Sequence, residues 1–434
     1  MLLMASPPAH EPCTRLRQSV TSVFGVRARE HAPRREADAA DGRGWSEREF
    51  RVAAESQRSA AFFPPRKYAS QEAAGWKAHH PMWPRNLPEL LGIEHPLIQA
   101  PMSGVTTPEL ASAVSNAGAL GSLGCGILPA EAVREQAAAL HGLTHRSFNL
   151  NFFAHPKPTS DEASAMRASS RLQPYYDELG LGSVPEPMEP FPTFDQERLD
   201  LALELRPRVV SFHFGLPEVN AVRELKRAGC VILSSATTVA EAVLLEQQGA
   251  DAIIAQGAEA GGHRGTFTNA PGAGTVGTMA LVPMVVDAVR VPVVAAGGIF
   301  DGRGIAAAFK LGAAGVQMGT AFLGCPEANV PTPYREALRA ATDASTQVTR
   351  AFTGRPARIL RNRFSEETEG QEQAILDFPL QASLTMSLGR NADGMMVRPD
   401  FLPLWSGQGA SRIKEIPAGV LVQRLVGEAQ DLLR

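Results

Sequence analysis

The 434-residue chain is 44% hydrophobic and 20% charged, an ordinary globular composition with ample material for a buried core. Its formal net charge of −3 gives no basic footprint for nucleic acid. No run approaches the roughly 18 uninterrupted apolar residues that span a bilayer, so no membrane segment is expected. Cys13, Cys125, Cys230 and Cys325 are scattered without a CxxC pair. Reduced thiols in a cytoplasmic protein are therefore expected, with neither a disulfide framework nor a metal site. Cys125 reads as a small packing residue.

Residues 1–80 differ from the rest, being rich in Arg, Ala, Glu and Pro with weak apolar periodicity. Disorder or loose helix is expected there, and no signal-peptide core is present. The ordered pattern starts near Met82, so this stretch reads as an extension, even a mis-assigned one.

From His95 onward, short β-rich runs alternate with helical patterns, the rhythm of βα units around a parallel sheet. Strands are expected at 96–101, 118–123, 147–153, 209–214, 231–235, 252–256, 292–296 and 315–320. Helices fit at 108–116, 129–140, 195–205, 217–228, 238–248, 278–289 and 302–312. A proline-rich insertion with a helical middle occupies 154–194. Eight strands with intervening helices make a (β/α)₈ barrel the natural solution, whereas an open doubly wound sheet suits six strands better. The barrel is expected over 88–325 and 405–434, with a helical cap at 326–404 and a closing helix from about 412.

In such barrels the active site lies at the C-terminal ends of the strands. The strand ends offer Met102, Asn151, His213, Gln256, Gly297-Gly298 and Gly319-Thr320, without the clustered carboxylates of a metal hydrolase or glycosidase. Ala295-Ala296-Gly297-Gly298-Ile299 and Gln317-Met318-Gly319-Thr320 end strands seven and eight. In these barrels that is the common phosphate station, where backbone N–H groups hold a phosphate without a cationic side chain; the glycines could instead only permit tight turns. Gln256 opens a glycine-rich loop and, like Asn151, can donate and accept at once, which suits the pyrimidine edge of a flavin; either amide could instead cap loop backbone. His213 can move a proton near neutral pH or serve as a satisfied core residue. By alternation it shares a face with Ser211, while Phe212 and Phe214 are expected to pack outward against helices. Gly272-Ala273-Gly274-Thr275-Val276-Gly277 matches G-x-G-x-x-G but follows no strand, so it reads as a loop over the strand-six opening.

Five motifs together resemble the class I nitronate monooxygenases, once called 2-nitropropane dioxygenases. They are Gln99-Ala100-Pro101-Met102-Ser103-Gly104, Ser211-Phe212-His213-Phe214-Gly215, Ala255-Gln256-Gly257 with Glu259-Ala260-Gly261-Gly262-His263-Arg264-Gly265, and the two glycine segments after strands seven and eight. Trp405-Ser406-Gly407-Gln408-Gly409 resembles that family's closing segment, and the likeness runs over about residues 88–434. The resemblance implies an FMN-bound TIM barrel that oxidises alkyl nitronates, propionate 3-nitronate among the candidates, with O₂ to carbonyl compounds and nitrite. It implies FMN contacts from Met102, Asn151, Gln256, Gly261, Gly298, Gln317, Met318, Gly319 and Thr320, with His213 as the catalytic histidine. The expected partners are a small-molecule nitronate and O₂, with a homodimer as the candidate assembly. Two alternatives stay open: an FMN-dependent NAD(P)H:quinone or enoyl-acyl-carrier reductase on the same fold, and a barrel that binds FMN or a phosphometabolite without catalysis.

Overall fold

A computed structural model describes residues 83–268 and 272–434; the extension at 1–80, the candidate start at Met82 and the tip of the loop at 269–271 lie outside them. The strands expected from the sequence form one parallel eight-stranded sheet. They are β1 (Leu97–Gln99), β2 (Gly121–Gly124), β3 (Phe148–Phe153), β4 (Val209–His213), β5 (Val231–Ala236), β6 (Ala252–Gln256), β8 (Val293–Ala296) and β9 (Gly315–Met318). Their order is β1-β9-β8-β6-β5-β4-β3-β2, and a parallel bridge between Ile98 and Leu120 closes the ring. Every position of most of these strands is buried, as expected where helices cover one face and side chains fill the other.

The helices between them are α2 (Pro108–Asn116), α3 (Ala130–Leu143), α5 (Gln196–Leu205), α6 (Val219–Arg227), α7 (Val239–Gln248), α8 (Thr278–Ala288) and α9 (Gly302–Lys310). Side-chain caps from Thr107, Asp195, Thr238 and Asp301 satisfy otherwise orphaned N–H groups at helix starts. The last helix, α13 (Ala418–Leu433), completes the outer ring between α2 and α9. A short leading helix, α1 (Asn86–Leu91), packs Leu87 and Leu91 against Ile98, Leu120, Val209, Leu233 and Val294. Catalysis therefore has room only at the opposite rim.

Two segments stand over that rim. The insertion carries α4 (Glu162–Leu179). The C-terminal segment carries α10 (Thr332–Ala340), α11 (Arg363–Glu367) and α12 (Leu380–Thr385), together with two strands the sequence pattern does not reveal, β10 (Thr346–Thr349) and β11 (Ala357–Leu360). These join β7 (Gly262–His263), inside the glycine-rich loop after β6, in an antiparallel sheet ordered β10-β11-β7. The segment is thus a mixed cap rather than a helical one. Apolar side chains of α4 (Ala168, Leu172, Tyr176) share a buried cluster with Phe352, Ile359, Phe364 and Leu384 of the cap.

Candidate active site

The rim where the sequence leads to expect a phosphate is built from backbone. Gly297 (φ 107°) and Gly298 (φ 70°) turn the chain at the end of β8 in a region L side chains rarely enter. A Cβ on Gly297 would lie 2.9 Å from the Ala260 nitrogen. Glu259 fixes the neighbouring loop by accepting from Thr278 N at 2.9 Å and Thr278 Oγ1 at 2.9 Å, at the start of α8. After β9, the chain enters a 3₁₀ turn at Thr320–Phe322. The Thr320 hydroxyl accepts from Gly407 N at 2.9 Å, which leaves its own proton to donate. Gln317 Oε1 is buried without a hydrogen-bond partner, a cost a bound donor would relieve.

The opposite side of the cavity is built from a clamped loop. His213 Nε2 lies 3.2 Å from His263 O and Nδ1 lies 3.0 Å from Ser235 Oγ. A carbonyl only accepts, so Nε2 carries the proton and Nδ1 accepts from Ser235. Gln256 Nε2 donates to the same His263 oxygen at 3.0 Å, and its Oε1 accepts from Gly265 N at 2.7 Å. Two side chains expected to meet flavin or substrate thus hold the backbone of residues 263–265. Buried Arg264 ties the same loop to its own root, donating to Gly257 O at 2.7 Å and Ala260 O at 3.0 Å.

The clamp aims His263 at the cavity. Its Nε2 lies 2.9 Å from Thr353 Oγ1, whose proton can pass to Arg355 O at 3.5 Å. A hydroxyl can donate as well as accept, so the ring either donates from Nε2 and keeps an Nδ1 lone pair, or accepts at Nε2 and presents an Nδ1–H to a ligand. Its ring sits 5.0 Å from Trp405 and 5.4 Å from Phe378 between centroids. Burial lowers the His263 pKa to about 3, helped by the neighbouring His213 and by Arg355 and Arg264. Burial likewise lowers His213 to about 4, against the hydrogen bond to His263 O. Both rings are neutral at pH 7.

Arg355 stacks 3.9 Å above the Phe214 ring and donates to Thr266 O. Burial lowers its pKa only to about 10, so it stays a cation. Phe214 does not pack outward as alternation suggests. Its φ of 73° breaks the strand, and its ring joins Phe153 and Phe378 beside His213; Phe212 does pack outward, against Phe194. Buried Glu241 anchors the next turn, accepting from Thr237, Thr266, Phe267 and Thr268. Burial would raise its pKa, but those hydrogen bonds outweigh it and hold the carboxylate ionised.

One cavity of about 360 Å³ brings together all ten residues expected from the sequence: Met102, Asn151, His213, Gln256, Gly261, Gly298, Gln317, Met318, Gly319 and Thr320. The size suits a cofactor or ligand cleft. Asn151 is held by Ser211, donating to its Oγ at 2.9 Å. Cys125 is buried, its thiol pushed up to about 12 by desolvation, so it packs and does not react. Sequence reasoning gave no role to His263, Ser235, Arg355 or Trp405. His263 stood inside a quoted motif, but a glycine-rich loop has no periodicity to say which side chain faces inward. Arg355 and Trp405 arrive by long-range pairing.

A family model described as nitronate monooxygenase matches residues 85–428. The chain belongs to that family. A nitronate monooxygenase of Pseudomonas aeruginosa is 44% identical over 342 residues, covering 78% of this chain and 97% of that protein. A probable nitronate monooxygenase of Bacillus subtilis is 40% identical over 338 residues, covering 77% and 95%. Among solved structures, a nitroalkane oxidase of Streptomyces ansochromogenes is 38% identical with a TM-score of 0.71, covering 80% of this chain and 98% of that one. The enzyme FabK of Thermotoga maritima is 31% identical with a TM-score of 0.61, covering 81% and 97%. Like other members of the nitronate monooxygenase family, this chain is an enzyme. No helix among the described residues is long and apolar enough to cross a membrane.

Proposed function

We propose that the chain binds FMN at the β8–β9 rim and oxidises alkyl nitronates with O₂ to carbonyl compounds and nitrite. The observation that carries this reading is one cavity joining a phosphate rim of glycine backbone to an imidazole nitrogen left open by a fully bonded loop. The rim fits the cofactor: Gly298, Gly319 and Thr320 offer backbone and hydroxyl donors, and the buried, partnerless Gln317 oxygen awaits a donor. Met102, Asn151 and Gly261 would complete the lining. FMN, when bound, supplies the electron acceptor for the nitronate and passes electrons on to O₂.

The protein contributes orientation and charge. His263 Nδ1 would meet the substrate, its lone pair taking the α-proton of a neutral nitroalkane or, in the tautomer that accepts from Thr353 at Nε2, its N–H donating to a nitronate oxygen. A lowered pKa makes it a weak base, which favours substrates that arrive already as nitronate anions. His213 and Gln256 act through His263 by fixing its backbone, so they are positioning residues. Arg355, buried beside both rings, lends positive potential that favours an anionic ligand.

Aerobic nitrite release from small alkyl nitronates, without any pyridine nucleotide, tests the proposal. The likeness to FabK motivates a second arm, anaerobic mixing with NADH or NADPH. Nitrite without nicotinamide supports the oxidase reading; flavin bleaching by NAD(P)H with no nitrite in air would replace it with a reductase.

A further inference from the structure

The insertion at 154–194 takes no part in the chemistry above, yet both of its ends are fixed at the mouth of the site. Ala154 N donates to His213 O at 2.9 Å, and Phe194 N donates to Phe153 O at 2.8 Å. Its helix is tied to the cap: the Tyr176 hydroxyl donates to Leu384 O at 2.8 Å, and Glu178 pairs with Arg363 at 2.6 Å. On its return the insertion places half-buried Phe191 in the cavity wall. The Phe191 ring lies 6.1 Å from Phe378, which is itself 5.4 Å from the His263 ring. Ile127, Phe153, Ala382 and Met386 extend this lining.

Charge is nearly absent from the wall. Among the described residues lining the cavity, Glu259 and Arg390 are the only Asp, Glu, Lys or Arg. Glu259 is occupied at the start of α8, and Arg390 donates to Gly394 O at 2.9 Å. We infer that the insertion, through Phe191, completes an aromatic wall that selects nitronates bearing a neutral apolar chain, aliphatic or aryl, over those bearing a second anionic group. This deepens the function proposed above and rests on it. Each methylene moved from water onto such a wall favours binding about fourfold. A second carboxylate would lose its hydration there, with an already bonded Arg390 as the one cation among the described residues of the wall, since Arg355 stacks on Phe214 and is not among the lining residues. Propionate 3-nitronate, a candidate by resemblance, is accordingly disfavoured.

The test uses the FMN-loaded full chain. Nitrite release is compared for the nitronates of nitroethane, 1-nitrobutane, 1-nitrohexane and phenylnitromethane, and for propionate 3-nitronate. In parallel, hexanoate and succinate, inert mimics of the two substrate classes, are titrated by flavin absorbance. The inference expects kcat/KM to climb about three- to fourfold per methylene until the wall is covered, with propionate 3-nitronate at least about tenfold below 1-nitrobutane nitronate and hexanoate binding tighter than succinate. Phe191→Ala should cut 1-nitrohexane nitronate about tenfold and leave nitroethane nitronate within about twofold. A flat chain-length series, or a preference for propionate 3-nitronate lost in Arg390→Gln, overturns it. If no nitronate yields nitrite, the proposed function falls, and the two mimics decide the inference: tighter succinate binding refutes it.

Discussion

The two sides of the cavity are built by opposite means. The β8–β9 side uses backbone: glycines at positive φ, a 3₁₀ turn and one hydroxyl. The β4–β6 side uses side chains, two neutral histidines, an amide and an arginine stacked on phenylalanine, locked by hydrogen bonds to a single loop. A backbone site tolerates change in the side chains around it and fails when a Cβ enters. A side-chain site fails when one bond of its lattice is removed. The difference teaches where each kind of substitution should hurt.

The largest effect is expected at His263. His263→Ala should lower turnover of neutral nitroalkanes by roughly 10²–10⁴, the range for a positioned proton-handling group, and of nitronates by less, while the protein stays yellow. Steady-state nitrite release against flavin content checks this, and turnover within about threefold of wild type would move the chemistry elsewhere. Next come the clamps. His213→Ala and Gln256→Ala should each cost about ten- to a hundredfold, less than His263→Ala, because they act by holding the His263 carbonyl. The double variant should fall short of the product of the two losses, since both bonds serve one oxygen; strict additivity would separate their roles.

On the backbone side the predicted losses are smaller and fall on cofactor retention. Gly298→Ala forces a side chain into φ 70°, costing about 1–2 kcal/mol, which thermal melting and FMN dissociation would report. Thr320→Val removes one hydroxyl donor, worth about 0.5–1.5 kcal/mol. It should weaken FMN affinity several-fold with little change in kcat at saturating FMN. An unchanged FMN affinity in both variants would place the phosphate elsewhere.

The last prediction concerns stability rather than activity and is a pH slope. Folding lowers His213 and His263 from 6.5 to about 4 and about 3, so the unfolded chain binds protons first as pH falls. Their stabilising contribution is complete above about pH 6.5 and is lost as pH drops toward 4. Melting temperatures between pH 7.5 and 4.5 should decline accordingly, with a shallower decline in His213→Gln. An equal slope in both proteins would contradict the assignment.

The barrel was legible because each strand is a short β-rich run fenced by turn residues, and several helices announce a cap: Thr107 before Pro108, or Asp301 at the start of α9. The glycine pairs were legible for the same local reason. On the histidine side Asn151, His213 and Gln256 were legible as strand ends, but the loop they face was not. Strand β7 is two residues long and exists only through pairing of Gly262 with Arg358 and His263 with Ala357, a partnership no local pattern encodes. Phe214 leaves the alternation because one positive φ turns its ring toward Arg355. His213 drew attention at a strand end, where side-chain direction can be read. The second imidazole of the cavity, His263, lies in a loop whose direction is set by His213 itself.

The central claim is that His263 offers its open nitrogen to the ligand while both nitrogens of His213 stay engaged. ¹⁵N NMR of histidine-labelled, FMN-loaded protein at pH 7, titrated with hexanoate, reads this directly. Both rings should be neutral, His213 with its proton on Nε2, and the carboxylate should draw the His263 proton to Nδ1 and shift that nitrogen while leaving His213 in place. A ligand-induced shift confined to His213 would contradict it.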